Sequence, residues 1–241
     1  MLVKTRAIVL HSIKFGDSSI IVDMFTESNG RVSFLIHIGT GKRSKFKKQL
    51  FQSLAILEIE CDIRQSSRLQ HIKDVRFLYS FASIPFDAYK LSISFFVAEF
   101  LFYALKEEQK NTPLFEYIVF SVKWLDQSEH NFSNFHLVFL MRLSRFLGFF
   151  PNLDGSGHNC WFDLRNGCFS ETAPLHNEVL IPDEANKIIV IMRMNYETMH
   201  LYAMSHMERN RCIEVILRYY RLHLPVFPDL KSFDILKELF V

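Results

Sequence analysis

The sequence predicts an α+β, multidomain chain: an N-terminal five-stranded OB-type β-barrel followed by a mostly helical domain. Three observations carry this. Apolar residues recur with a period of two up to about residue 80 and with a helical period beyond it. Asn29-Gly30 lies between two alternating runs, where it supplies the positive φ values that a tight hairpin turn requires. The composition, 49% apolar and 22% charged with only eight Gly and seven Pro in 241 residues, is that of a globular chain able to bury a real core. The predicted domains are 1–80 and 81–241, the second with an irregular segment near 151–180.

Taken in order, "TRAIVLHS" reads as the first strand. Ile20, Val22 and Met24 alternate before "ESNG", and Val32, Phe34 and Ile36 alternate after it. In "LEIECDIR", Leu57, Ile59, Cys61 and Ile63 face one way and Glu58, Glu60, Asp62 and Arg64 the other, a strand with one wet face. "RLQHIKDVRFLYS" is a weaker fifth strand. Five short strands hide their edges by curling into a small barrel; the pattern alone also admits an SH3-like barrel. After "SIPFD", six helices are expected, opening with "AYKLSISFFVAEFLFYALKEEQ" and "TPLFEYIVFSVKWLDQ". In the second, Thr112 is a plausible N-cap and Pro113 takes the first helical position. "NFHLVFLMRLSRFLGFFP" stops at Gly148 and Pro151, and "PDEANKIIVIMRM", "ERNRCIEVILRYYRLHL" and "DLKSFDILKELF" complete the set.

The most apolar stretch, Leu91 to Leu105, is interrupted by Ser92, Ser94 and Glu99 and falls short of the roughly 20 residues of a spanning helix, so it reads as a buried core helix. The start, "MLVKTRAIVLHS", has too short an apolar run for a secretory signal. A soluble, cytoplasmic protein with no membrane partner is expected. Cys61, Cys160, Cys168 and Cys212 lack close paired spacing and read as reduced thiols.

The formal net charge of +2 hides a strong local asymmetry. From Ser28 through Leu57 there are six basic residues, Arg31, Lys42, Arg43, Lys45, Lys47 and Lys48, and no Asp or Glu. Lysine-rich loops are commonly no more than solvated surface. Here the charge falls between two strands, where an OB barrel presents its binding loops. Phe46 lies inside the cluster and suits stacking on bases, and Gly39 and Gly41 let the backbone approach a phosphate chain. The stretch therefore points to nucleic-acid binding through the sugar-phosphate backbone, with weak sequence preference.

The segment "TRAIVLHSIKFGDSSIIVDMFTESNGRVSFLIHIGTGKRSK" resembles the start of the bacterial recombination mediator RecO family. Val9-Leu10, Gly16-Asp17-Ser18-Ser19, Phe25-Thr26 with Gly30, and the Gly- and Lys/Arg-rich stretch from Gly39 to Lys48 stand in the family's order. "SFFVAEFLFYALKEEQ", "LSRFLGFFPNL" and "LPVFPDLKSFDILKEL" extend the likeness over nearly the whole chain. The resemblance implies an OB domain and a helical domain, binding of single- and double-stranded DNA, and annealing of complementary strands. It also implies partnership with RecR and with the acidic tail of single-stranded-DNA-binding protein (SSB), and help in loading RecA. Many members carry a four-cysteine zinc site in the irregular segment. Here only Cys160 and Cys168 stand there, with His158 and His176 nearby, and the paired spacing a structural zinc wants is missing. No metal or other cofactor is expected, and Trp161, Phe162 and Phe169 are expected to hold the segment by packing on helices.

No P-loop, G-x-S-x-G or H-E-x-x-H pattern is present, and Asp154 and Asp163 read as solvated loop acids, so no catalytic residue is assigned and no enzyme is expected. An acidic tail with an apolar end needs a groove flanked by cations; Arg142 and Arg145, three apart on one helix, are the candidates. The alternative is an OB-fold adaptor that binds protein and not DNA.

Overall fold

The computed structural model describes residues 2–38, 46–64, 66–106, 108–157 and 159–239. The chain divides into two compact units, Met1–Gln127 with Leu230–Leu239, and Ser128–Asp229. The change of period near residue 80 marks where strands give way to helices. The first unit does not end there, because the helices that follow the sheet pack with it.

The first unit is built on β1 (Leu2–Phe15), β2 (Ser19–Thr26), β3 (Gly30–His37), β4 (Ile56–Asp62) and β5 (His71–Tyr79). The sheet order is β3-β2-β1-β4-β5, antiparallel throughout. Its edge strands meet at a parallel bridge between Phe34 and Gln70. There the Leu35 N–H donates to the Gln70 carbonyl (3.0 Å) and the Gln70 N–H to the Ser33 carbonyl (2.9 Å). The sheet is thus OB-like in its curl but not closed by a continuous ladder. Val9, Val22, Met24, Phe34, Leu57, Ile59 and Cys61 fill its interior. The run "AIVL" in β1 is buried on both faces, because Ile8 and Leu10 are covered as fully as Ala7 and Val9. That is why this strand reads as a continuous apolar block.

The β2–β3 turn is a three-residue loop, with Thr26 paired to Gly30. Only Gly30 adopts a positive φ (67°); Asn29 does not. Gly30 is required for a second reason: a Cβ there would lie 2.4 Å from the Gln109 carbonyl carbon, a backbone atom that cannot swing away. The neighbouring Arg31 N–H donates to the Glu108 carbonyl at 3.1 Å. Gly30→Ala combines left-handed strain with overpacking and is expected to cost about 2–4 kcal/mol. A urea titration checks this, and a loss below about 1 kcal/mol, the size of an ordinary Gly→Ala change, would contradict the close approach.

Helix α1 (Ala88–Ala104) buries most of its surface, leaving Tyr89 and Phe95 exposed, and packs on β1 and on α6 (Lys231–Leu239). Asp87 caps it by accepting from the Tyr89 and Lys90 N–H groups at 2.9 and 3.0 Å. Its polar interruptions all have work. Ser92 and Ser94 donate to the Ala88 and Leu91 carbonyls, both at 2.7 Å. Glu99 caps α6 by accepting from the Ser232 N–H at 2.8 Å and from its hydroxyl. Among the described residues no helix is long and apolar enough to cross a membrane. In α2 (Thr112–Gln127), the residue that caps is Asn111, whose Oδ1 accepts from the Leu114 N–H at 3.1 Å. Thr112 therefore sits one position inside the helix, and Pro113 follows it.

The second unit contains α3 (Phe135–Phe146), a small sheet of β6 (Trp161–Asp163), β7 (Cys168–Ser170) and β8 (Val179–Leu180), then α4 (Pro182–Arg193) and α5 (His206–His223). The small sheet has the order β7-β6-β8. Phe162 and Phe169 pack on each other, with ring centroids 4.9 Å apart, and Phe162 meets Tyr219 of α5 at 6.0 Å. Phe162 thus holds the segment to α5, with Phe169 packed behind it; Trp161 stays only half-buried.

Candidate nucleic-acid interface

The basic segment leaves the sheet at the end of β3 and returns at β4. At its start the Ile38 N–H donates to the Ser18 carbonyl at 2.7 Å, and the Ile38 side chain packs against the sheet interior. At its far end Phe46 and Leu50 pack against the same core, and a short 3₁₀ turn, Lys48–Phe51, buries Phe51. The Phe46 ring meets Phe51 edge-on, centroids 6.5 Å apart. This gives Phe46 an anchoring contact at the end of the segment. Lys47 and Lys48 point into solvent beside it. Lys42, Arg43 and Lys45, with Gly39 and Gly41, lie outside the described residues.

Several cations on the strands, Lys4, Arg6, Arg31 and Arg76 among them, are engaged by acids. Lys4 (3.1 Å) and Arg76 (2.5 Å) both reach Glu58 across the sheet. Arg6 forks onto Glu27, Nε at 2.8 Å and Nη2 at 2.7 Å, and also pairs with Glu116. These pairs hold the Arg6 guanidinium above its ordinary value and Glu27 below its own. Arg31 departs from the sequence expectation. Its side chain is only 13% exposed, pairs with Asp23 at 3.4 Å, donates to the Phe102 carbonyl, and lies over the Phe102 ring at 4.4 Å. Burial pushes the Asp23 carboxyl up, but His11, Ser33 and Arg31 outweigh it and hold the group below the usual range. Arg31 therefore joins β3 to α1 and is not directed outward.

Arg142 and Arg145 are both exposed on α3. Arg142 donates to the Met194 carbonyl at 3.1 Å, and Arg145 lies over the Phe150 ring at 4.4 Å. In the irregular segment, Cys160 is buried and its thiol donates to the Gly155 carbonyl at 3.3 Å, while Cys168 is half-buried. His176 pairs with Asp163 at 3.2 Å, and His158 lies outside the described residues. Among the described residues no group of three or more His, Cys, Asp or Glu is placed to hold a metal ion. Asp163 is not the solvated acid its sequence context suggests. It accepts from the Arg165 and Asn166 N–H groups (2.8 and 3.1 Å) and from the Asn166 amide (2.7 Å), closing the β6–β7 turn. Burial raises this carboxyl, and those donors with His176 more than reverse the shift.

Comparison with known proteins accounts for both parts of the chain. The family described as "Recombination protein O N terminal" matches residues 1–81, and "Recombination protein O C terminal" matches 85–232. A protein of Phocaeicola vulgatus named DNA repair protein RecO is 53% identical over 240 residues, covering 100% of both chains. Proteins of the same name from Bacteroides fragilis (52%) and Flavobacterium psychrophilum (33%) also align over 100% of both chains.

Proposed function

Because the chain belongs to the recombination protein O family, we propose that this DNA repair protein binds single- and double-stranded DNA through its basic segment and anneals complementary strands. One observation carries the reading. The acid-free stretch from Ser28 through Leu57 gathers Lys42, Arg43, Lys45, Lys47 and Lys48 between two anchored ends, whereas its remaining cation, Arg31 on β3, and Lys4, Arg6 and Arg76 on other strands are paired with acids. Lys42, Arg43, Lys45, Lys47 and Lys48 form the gripping set, and Phe46 positions it.

The mechanism is electrostatic. Two strands repel each other through their phosphates, and a cationic surface that holds both lowers this repulsion and raises their local concentration. No bond is made or broken by the protein, so neither ATP nor a catalytic group is needed, and the protein is not an enzyme. In this reading RecR is a partner and RecA is served indirectly, at SSB-coated gaps. Arg142 and Arg145 receive the acidic SSB tail, and the work is done in the cytoplasm, at the nucleoid.

Mixing two complementary oligonucleotides, one carrying a fluorophore and one a quencher, tests the proposal. The purified protein is expected to accelerate pairing without ATP, and less so as salt rises. Pairing at the uncatalysed rate at every salt concentration would overturn the proposal and favour an adaptor that binds protein alone.

A further inference from the structure

We propose that the open end of the first sheet stacks unpaired bases on Phe15 and so favours single strands over duplex DNA. The inference rests on the reading that the basic segment grips DNA, and it names the form of DNA which that site prefers. Across β1, β2 and β3 the register sets Lys14 beside Ile20 and Ile36, Phe15 beside Ser19 and His37, and Ile13 beside Ile21 and Leu35. Paired residues share a face of a sheet, and successive residues alternate between faces. Ile20 and Ile36 belong to the interior, so the Phe15 and Ile13 rows lie on the outer face.

Helix α1 covers only part of that face. Its Phe102 ring lies 4.5 Å from the His11 ring and beneath the Arg31 guanidinium. Beyond His11 the face opens: Ile13 is 44% and Phe15 52% exposed, with Ile21 and Leu35 half-buried beside them. A contiguous apolar patch on an open surface marks a place of contact.

The surroundings of the patch point to a nucleobase as its occupant. It adjoins the root of the basic segment, where the Ile38 N–H meets the Ser18 carbonyl and the His37 Nδ1 lies 3.3 and 3.4 Å from the Ser18 and Ser19 hydroxyls. A strand held by its phosphates along that segment has bases within reach of Phe15. An aromatic platform beside cations is the combination that binds single strands. Phe46 is held edge-on against Phe51, whereas Phe15 presents its ring to solvent. Asp17, exposed at the hairpin turn, repels phosphate and leaves that side to the bases. In a duplex the bases are stacked on one another, so the ring finds no free face there.

The test uses the full chain and one labelled oligonucleotide, offered as a single strand and as a duplex. Phe15→Ala is expected to weaken the single strand about tenfold, to leave the duplex nearly unchanged, and to keep the steepness of the salt dependence. Phe15→Leu, which keeps apolar bulk without a ring, is expected to lose affinity as well, and Phe15→Trp to retain it. The fluorescence that Phe15→Trp adds is expected to be quenched by the single strand and not by a strand whose sugars carry no bases. An equal loss for both forms of DNA, or single-strand affinity unchanged in Phe15→Ala, would overturn the stacking while leaving the grip of the basic segment in place, and would turn the patch over to a protein partner. Failure of the wild type to bind either form in dilute buffer would overturn the grip and the stacking together.

Discussion

Asp126→Ala is expected to lower the free energy of unfolding by about 3–5 kcal/mol, because it strands several buried donors at once. Asp126 ends α2 and is only 2% exposed. One carboxylate oxygen accepts from the Tyr79 hydroxyl (2.8 Å) and the Ala82 N–H (2.9 Å). The other accepts from the Ser83 and Ile84 N–H groups, both at 2.9 Å. Lys90, 3% exposed, reaches the same place, donating to the Ser83 hydroxyl at 2.7 Å and the Asp126 carbonyl at 3.2 Å. The carboxylate thus fixes the end of β5 and the connection from sheet to helices, while the Asp126 backbone carbonyl helps hold Lys90 of the first turn of α1. A guanidinium titration measures the loss; a change below about 1 kcal/mol, that of a single ordinary hydrogen bond, would contradict this account.

The same network predicts an acid response. Burial raises the Asp126 carboxyl, but the Ala82, Ile84 and Ser83 amides and the Tyr79 hydroxyl hold it below its ordinary value. A carboxyl depressed in the folded state contributes its full stabilisation above its unfolded value of about 3.9. That contribution is lost as pH falls through the lower folded value. The stability gap between the wild type and Asp126→Asn is therefore expected to shrink below about pH 4. A gap constant down to the acid transition would count against an ionised Asp126.

Asp126 also shows what a sequence conceals. Its position at the end of "TPLFEYIVFSVKWLDQ" marks a helix terminus and nothing more. Its side-chain partners lie 42 to 47 residues away, beyond any local spacing rule. What is local was legible. The alternation in "LEIECD" placed Leu57, Ile59 and Cys61 inside, and the apolar density of "SFFVAEFLFYAL" marked α1 as a core helix. The turn at Asn29-Gly30 was legible as a hairpin, but the backbone of Gln109 against Gly30 was not. Capping was legible to within one residue: Asn111, not Thr112, supplies the oxygen.

The basic segment was legible as charge and not as geometry. Counting cations could not separate Arg31, which Asp23 and Phe102 draw inward, from Lys47 and Lys48, which remain outside. Nor could the presence of Phe46 among lysines tell a stacking platform from an anchor, since both need an aromatic ring.

Changing Lys42, Arg43, Lys45, Lys47 and Lys48 together to Ala is expected to have the largest effect on activity. Each cation that replaces a counterion on single-stranded DNA adds about 0.7 to the steepness of log affinity against log salt. Five such contacts give a slope of about −3 to −4, or about a hundredfold loss of affinity for each fourfold rise in salt. Phe46→Ala leaves the charges in place and is expected to weaken binding while keeping most of the slope, as suits an anchor. The deciding measurement is the binding of a labelled oligonucleotide across a salt series, with the wild type and the five-fold variant side by side. The steep wild-type slope is expected to flatten towards zero in the variant; the same slope in both, or no binding by the wild type in dilute buffer, would contradict a DNA grip built on these side chains.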